Sequence, residues 1–177
     1  MNLYLRLLWL AVTAWMRPPA PILGPARTRF RVWPSDLDVL RHVNNGVYLS
    51  MMDLGRMDLM SRAGVAGRLA RRGWYPVVVA QSIRYRRSLR LFDRFVIETR
   101  VLGWDEKAFL IEQRFERGRE IVAHALVRAR FLSTTGETVS PAEVLAVADH
   151  VPPMPVIPEH AARWNADHSA WPAPAEL

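Results

Sequence analysis

The segment DLDVLRHVNNGVY, which runs from Asp36 to Tyr48, concentrates residue types that can do acid–base or nucleophilic chemistry. It contains two carboxylates, one imidazole and two carboxamides. An aspartate side chain is ordinarily ionised at neutral pH, so a carboxylate of this segment can attack a carbonyl carbon or activate a water molecule for that attack. The residue types therefore predict a reactive site within this segment.

A long helix is predicted to begin directly after these residues, at Asn45. Asn is a favourable N-cap, and Gly64 stands where a left-handed residue commonly ends a helix. Between them, apolar and small residues recur at three- and four-residue spacing, at Tyr48, Met51, Met52, Gly55 and Leu59. The first turn of a helix offers unpaired N–H groups at the positive end of the helix dipole. The N–H groups of this first turn can therefore hold a carbonyl oxygen and stabilise the oxyanion that forms on attack.

Alternation of apolar and polar residues predicts one strand before this helix, at residues 28–33, and four strands after it. Turn-forming residues separate the later strands, which occupy residues 77–89, 95–104, 108–116 and 120–132. One face of the first of these is predicted to carry Val77, Val79, Gln81, Ile83 and Tyr85. The basic segment 68–76 before it is interpreted as a loop. This order predicts an α+β fold in which one helix covers one antiparallel sheet, with Gly55 allowing a close approach between them.

Pro-rich segments suggest three parts of the chain. Residues 1–25 are predicted to form an apolar helix and a Pro-rich connector, 26–135 the main domain, and 136–177 an extension with short helices near 141–149 and 158–167. The apolar run in residues 1–16 is shorter than the ~20 residues that span a bilayer. It is predicted to form a helix that Pro18 ends, and that packs on its own domain or lies on a membrane surface.

The DLD and HVNN motifs, followed by Tyr48, resemble the signature of hotdog-fold thioesterases of the 4-hydroxybenzoyl-CoA thioesterase type. Their amino-acid sequence is also similar to the corresponding segment of plant acyl-ACP thioesterases. The downstream runs RYRRSLRLFDRFVIETRV and WDEKAF resemble bacterial and animal proteins grouped with thioesterase superfamily member six. The resemblance covers residues 29–132, counted from the strand before the helix to the last strand. It implies a hotdog fold, in which a five-stranded antiparallel sheet wraps around one long central helix, with extra helices at both termini. It also implies a homodimer or tetramer with the site at a subunit interface.

The same resemblance implies roles for individual residues. Asp38 falls on the catalytic aspartate, the N–H of Asn45 on the amide that binds the thioester carbonyl, and Asn44 and His42 flank the site. The acyl chain is then expected in an apolar slot beside Tyr48, Met51 and Met52. Leu40 stands where the plant enzymes carry asparagine, and the chain has no cysteine. The plant catalytic arrangement is therefore not intact, and catalysis is assigned to Asp38.

Arginine supplies nearly all of the positive charge, with 24 Lys+Arg against 17 Asp+Glu and a formal net charge of +7. A basic group comprises Arg84, Arg86, Arg87 and Arg90, with Arg128 and Arg130 on the last strand. These side chains can bind the phosphates of CoA or an acidic carrier protein, or they can simply form a solvated face. No nucleic-acid partner is predicted, since the basic stretches lack an interleaved aromatic platform. No metal site is predicted either, because cysteine is absent and the five histidines are scattered.

These observations predict a cytoplasmic acyl-CoA or acyl-ACP thioester hydrolase that uses no cofactor, with membrane association through residues 1–16 left open. Two alternatives remain: a non-catalytic acyl-CoA or acyl-carrier binding protein, and a peripheral membrane protein anchored by residues 1–16. Individual residues also have structural interpretations. Asp36 can be solvated or cap a strand, Asp38 can bond loop N–H groups, His42 can be structural, and Asp53 can be exposed or pair along its helix.

Overall fold

A computed structural model describes residues 3–13 and 16–169 of the chain. Residues 1–2, 14–15 and 170–177, at the ends of the predicted terminal segments, lie outside the described residues. The helices are α1 Leu3–Thr13, α2 Asn45–Arg62, α3 Ala66–Arg71, α4 Pro141–Leu145 and α5 Glu159–Ser169. The strands are β1 Ala26–Arg31, β2 Trp74–Tyr85, β3 Arg94–Trp104, β4 Phe109–Arg117, β5 Glu120–Ser133 and β6 Thr138–Val139.

The strands form one antiparallel sheet in the order β1-β3-β4-β5-β2, and the short β6 pairs with β5. Helix α2 packs on one face of this sheet, and its Met51, Met52 and Leu54 are fully buried. The single sheet packed on one long helix confirms the predicted α+β arrangement. The predicted bounds of α2 are also confirmed, since the helix ends at Arg62 and Gly64 follows with a φ of +72°.

Gly55 lies where α2 closely approaches the sheet. A Cβ atom at this position would lie 2.9 Å from Nε2 of Gln113 and 3.0 Å from Oγ1 of Thr99. The Gln113 amide cannot easily move, because it donates to the Met52 carbonyl and to Thr99 and accepts from Arg56. The predicted close approach of helix and sheet at Gly55 is therefore confirmed.

Two sequence-based predictions around β2 are wrong. The segment interpreted as a basic loop contains helix α3, and β2 begins at Trp74 rather than at Val77. A bulge at Val79 shifts the register, so Val78 pairs with Ala129 and Ala80 with Arg128. Directly opposed residues point to the same face of a sheet, so Val78 rather than Val79 shares a face with Gln81.

Helix α1 is attached to the domain along one side. Arg6 and Leu10 are buried against it, and the Arg17 guanidinium after the helix forms an ion pair with the buried Asp58 of α2. The opposite side is exposed and apolar, with Leu8 60% and Trp9 65% exposed. Within the part of the chain that the structure describes, every helix is too short or too polar to span a bilayer.

Candidate functional site

Asp38 organises the tight loop that precedes α2. Its Oδ1 atom accepts hydrogen bonds from the backbone N–H groups of Leu40 (2.9 Å) and His42 (3.2 Å). Its own N–H donates to the His42 carbonyl, and the turn places Arg41 at a φ of +61°. The loop therefore holds one carboxylate oxygen in place, while Oδ2 has no hydrogen-bond partner among the described residues.

The first turn of α2 presents one free donor to the same region. The cap is Asn44, not Asn45 as predicted, because the Asn44 side chain accepts from the N–H of Gly46 at 2.8 Å. The Asn44 carbonyl accepts from the N–H of Val47. As the first helical residue, Asn45 has no intrahelical acceptor for its own N–H. That group is thus available to a ligand.

Asp36 ties the loop to the rest of the fold. Its Oδ2 lies 2.5 Å from Nη2 of Arg6 in α1 and 2.7 Å from the backbone nitrogen of Trp33. Its carbonyl accepts from the N–H of Asn44 at 2.9 Å. Asp36 is a buried structural residue, so the interpretation of Asp36 as a solvated side chain is wrong.

A cavity of about 900 Å³ brings three of the predicted catalytic residues together. This Asp38 cavity is lined by Asp38, Leu40, His42, Val43, Asn45, Tyr48, Tyr85, Arg86, Arg87, Ser88, Arg90, Asp93 and Arg117. Asn44 does not line it and acts instead as the helix cap. The sequence did not indicate Asp93 or Arg117 as members, because these residues lie on distant segments with no shared motif.

The arginines predicted to bind phosphate separate into different environments. Arg86 and Arg90 line the Asp38 cavity without an ion pair among the described residues, whereas Arg87 lies 3.3 Å from a carboxylate oxygen of Glu120. Arg84 is exposed on β2 and does not line the cavity. Arg128 is buried, and its guanidinium contacts Asp105 at 2.6 Å and also Asn165 of α5. The solvated-face interpretation is therefore wrong for Arg128.

Two tyrosines form one wall of the Asp38 cavity. Their rings meet edge to face, with centroids 5.0 Å apart, and Tyr85 Oη lies 3.5 Å from the Asn45 carbonyl oxygen. Burial raises the pKa of both Tyr48 and Tyr85. For Tyr48, this increase is larger than the decrease caused by the hydrogen bond from the Leu89 N–H. Both phenols therefore remain protonated at neutral pH and act as neutral hydrogen-bonding groups.

A second cavity, of about 430 Å³, lies beside the C-terminal half of α2 and is mainly apolar. This apolar cavity is lined by residues that include Met57, Met60, Leu69, Val77, Val78, Phe109 and Phe131. Its polar wall is formed by Arg56 and Asp53, which form an ion pair, and burial lowers the pKa of Arg56. Met51 and Met52, predicted to line an acyl slot, belong instead to the buried core. Among the described residues, no group of His, Cys, Asp and Glu is arranged to hold a metal ion.

Residues 32–164 match the family model of the thioesterase-like superfamily. The chain is 42% identical over 99 residues to the protein named THEM6 of Xenopus laevis, covering 56% of this chain and 48% of that protein. It is 38% identical over 113 residues to THEM6 of Danio rerio, covering 63% and 56% of the two chains. The matched segment thus spans about half the length of these curated relatives.

Solved structures show the same fold. YbaW, a probable thioesterase of Escherichia coli, aligns with a TM-score of 0.60 and 25% identity over 68% of this chain and 94% of its own. The hypothetical protein AQ1494 of Aquifex aeolicus aligns with a TM-score of 0.65 and 21% identity over 71% and 100%. BH1999, a gentisyl-coenzyme A thioesterase, aligns with a TM-score of 0.62 and 19% identity over 67% and 98%. The predicted hotdog fold is confirmed, and the chain belongs to the thioesterase-like superfamily.

Proposed function

We propose that this chain hydrolyses acyl-CoA or acyl-carrier thioesters, with Asp38 as the catalytic carboxylate and the N–H of Asn45 as the oxyanion donor. The observation that carries the proposal is that both residues line one cavity, the first on a fixed loop and the second at a helix start. Donors placed in advance stabilise the charge that develops on a carbonyl oxygen during attack. Membership of the thioesterase-like superfamily supports the reaction class.

In this mechanism the thioester carbonyl oxygen accepts a hydrogen bond from the Asn45 N–H. Oδ2 of Asp38, the carboxylate oxygen that the loop does not hold, either attacks the carbonyl carbon or takes a proton from an attacking water. In the first route the C–S bond breaks, the thiolate leaves, and water then hydrolyses the acyl anhydride formed on Asp38. In the second route the water oxygen forms the new C–O bond and the C–S bond breaks. Both routes consume one water and release a thiol, which takes up a proton, and a carboxylic acid. His42 lines the same cavity and orients the substrate, while Asn44 keeps the first turn in place.

The nucleotide end of CoA is proposed to bind at the basic side of the Asp38 cavity. Arg86 and Arg90 are two unpaired guanidinium groups there, and guanidinium groups bind phosphate oxygens in a bidentate geometry. Arg87 lines the same cavity and forms an ion pair with Glu120. An acidic carrier protein would meet the same side chains, so a comparison of CoA with carrier-bound substrates distinguishes the two.

A homodimer formed through the free edge of β2 is the proposed assembly. This edge has no partner strand in the described part of the chain, and Tyr75, Val78 and Val79 are exposed along it. Val39, at the tip of the Asp38 loop, is 97% exposed. A long exposed apolar edge strand favours pairing with another chain. We expect Val79→Arg to yield a monomer in light scattering; a dimer of unchanged mass would contradict this interface.

Such a dimer would also supply space for the acyl chain. Antiparallel pairing of two β2 strands about their midpoint places Tyr85 of one copy near Trp74 of the other. The Asp38 cavity of one copy then adjoins the apolar cavity of the second copy, which begins at Pro76 and Val77. The acyl chain is proposed to enter that apolar cavity, with Tyr48 at its entrance.

The deciding experiment is a thiol-release assay with short, long and aromatic acyl-CoA substrates. Asp38→Asn is the sharpest variant, because its side-chain oxygen can still accept the two loop hydrogen bonds while the charge is lost. We expect a loss of about 10²-fold or more in kcat with unchanged thermal unfolding. Asp167→Asn, an exposed helix carboxylate of α5 that lines neither cavity, serves as the matched control. Full turnover in the Asp38→Asn enzyme would remove Asp38 from the mechanism.

Non-catalytic acyl-CoA binding is the second candidate function. It is favoured by one observation: Asp38 Oδ1 already bonds two loop N–H groups, as a purely structural aspartate would. A protein of this kind would be stabilised thermally by acyl-CoA and would release no thiol from any substrate in the same assay.

Peripheral contact with a membrane through residues 1–16 is proposed in addition. Its support is the exposed apolar side of α1, on which Leu5, Leu8, Trp9 and Val12 follow helical spacing. The variant Leu8→Ser/Trp9→Ser leaves the buried Arg6 and Leu10 intact, so it tests the exposed side alone. We expect it to reduce co-sedimentation with liposomes; unchanged co-sedimentation would exclude this surface.

A further inference from the structure

Strand β1 carries a row of arginines on its outward face. Arg27, Arg29 and Arg31 alternate with the buried Thr28 and Phe30. Arg27 is neutralised by two carboxylates, at 2.5 and 2.7 Å, whereas Arg29 and Arg31 have no carboxylate partner among the described residues. The outer face of this edge strand therefore bears uncompensated positive charge.

The neighbouring strand adds to this charge instead of balancing it. Arg31 lies directly opposite Arg94 of β3 in the antiparallel pair, and Arg94 also lacks a carboxylate partner within the described residues. Like charges directly opposite each other destabilise a sheet. The Arg31 guanidinium is held in place by the rings of Phe92 and Trp33, 4.9 and 5.7 Å from their centroids. An external anion would relieve the repulsion.

These arginines share a groove with the exposed side of α1. The groove, of about 920 Å³, lies between α1 and the edge formed by β1 and β3. Leu5 and Trp9 line it from the helix, and Arg29, Arg31 and Arg94 line it from the strands. An apolar helix side and a cluster of unpaired cations thus form one continuous surface, which we call the α1–β1 surface.

We propose that the α1–β1 surface docks on a bilayer that contains anionic phospholipids, with the phosphate headgroups bound by Arg29, Arg31 and Arg94. This inference rests on the peripheral membrane contact proposed above and adds the lipid class and the residues that select it. Leucine and tryptophan side chains enter the boundary between headgroups and acyl chains, and arginines beside them bind anionic headgroups.

The composition of the surface favours a bilayer over other anionic partners. A nucleic acid would engage the arginines and leave the apolar row of α1 in water. A membrane surface satisfies both components at once, because it offers hydrocarbon and phosphate within one interface. The orientation is also defined, since α1 is fixed to the domain by the Arg6–Asp36 and Arg17–Asp58 ion pairs.

The test compares the full chain on vesicles of phosphatidylcholine alone and of phosphatidylcholine mixed with phosphatidylglycerol. The variant Arg29→Gln/Arg94→Gln removes two charges and leaves the stacked Arg31 in place. We expect about thirty-fold weaker binding to the anionic vesicles, from the contribution of each arginine near such a surface. The matched control is Arg71→Gln/Arg72→Gln, near β2 at the other edge of the sheet, and we expect it to bind like the unaltered chain.

The outcomes separate this inference from the membrane contact on which it rests. Equal binding to both vesicle types, or unchanged binding of Arg29→Gln/Arg94→Gln, would overturn the headgroup assignment and leave the apolar contact standing. If the Arg71→Gln/Arg72→Gln control weakened vesicle binding equally, the headgroup assignment would also be overturned, because the effect would then come from the net charge of the protein. Failure to bind either vesicle type would overturn both proposals.

Discussion

Arg6 and Asp36 form a buried ion pair that joins the N-terminal helix to the loop of the candidate active site. Nη2 of Arg6 lies 2.5 Å from Oδ2 of Asp36, and each side chain is 5% exposed. Asp36 also accepts from the N–H of Trp33 and, through its carbonyl, from the N–H of Asn44. One residue thus connects α1, the end of β1 and the start of α2.

Removing one member of this pair is expected to destabilise the protein strongly. Arg6→Met leaves the Asp36 carboxylate buried without its cation, and Asp36→Asn leaves Arg6 buried without its anion. Each single variant is expected to lower the free energy of unfolding by about 3–5 kcal/mol. Because the double variant removes both charges, it should lose less than the sum of the single losses. Urea denaturation of all four proteins measures this coupling, and additive losses would contradict it.

The Asn44 cap is expected to affect both stability and turnover. Asn44→Ala removes the acceptor for the Gly46 N–H, which should lower the free energy of unfolding by about 1 kcal/mol. It should also reduce kcat, by up to about 100-fold, because the first turn that carries the Asn45 N–H loses its position. Asn44→Asp retains an acceptor and is the control. Full turnover of Asn44→Ala would separate the cap from catalysis.

Gly55→Ala is expected to destabilise the protein although alanine is the better helix former. The added methyl group would displace the buried Gln113 amide and the Thr99 hydroxyl, at a cost of about 1–3 kcal/mol in the free energy of unfolding. Gly67→Ala in α3 is the matched control, because a Cβ at Gly67 meets no atom within 4 Å. That variant should be stabilised by up to about 1 kcal/mol. Stabilisation of both variants would refute the packing role of Gly55.

The two unpaired arginines of the Asp38 cavity are expected to recognise the nucleotide part of CoA. Arg86→Ala/Arg90→Ala should raise KM for acyl-CoA by about tenfold or more, since each charge-assisted hydrogen bond contributes about 1.5–3 kcal/mol. Hydrolysis of the matching acyl-N-acetylcysteamine, which has no phosphate, should be unchanged. Arg84→Ala, outside the cavity, is the control. Equal losses on both substrates would indicate a structural effect of the arginines.

Glu112 is expected to give the protein an acid-dependent stability. Burial alone would raise the pKa of Glu112, but hydrogen bonds from His124 and Arg114 outweigh it and lower the pKa from 4.5 to about 2. In the unfolded chain the pKa returns to its ordinary value, so the unfolded state binds the proton first as the pH falls. The stabilisation, on the order of 3 kcal/mol, is therefore complete above about pH 4.5 and is lost towards pH 2.

The comparison with Glu112→Gln measures this contribution. The difference in free energy of unfolding between the two proteins should shrink as the pH falls below about 4.5. A difference that stays the same down to pH 3 would show that the pKa of Glu112 is the same in the folded and unfolded states. Denaturation by urea at each pH provides the measurement.

Local patterns determined the helix, most of the sheet and the loop that carries Asp38. The bounds of α2 follow from residues within a few positions of its ends. The close approach at Gly55 was predicted because a residue of low helix propensity stands inside an apolar helix face. Asp38 and Asn45 line one cavity because the six residues between them form a tight loop and a cap. These features depend on hydrogen bonds and periodicities that act over a few residues, so the sequence alone suffices.

Only the tertiary structure decided the features that depend on neighbours distant in the chain. Asn44 and Asn45 are equally good caps by residue type, and the backbone geometry selects Asn44. The bulge at Val79 has no local signal among three consecutive valines, yet it reverses which side chains face the helix. Arg86 and Arg128 both alternate with apolar residues in the sequence, but Arg86 follows the end of β2 and lines the Asp38 cavity, whereas Arg128 lies on β5 beneath α5. Alternation records which face of a strand a residue occupies, whereas the elements that cover that face are set by the packing of the whole chain.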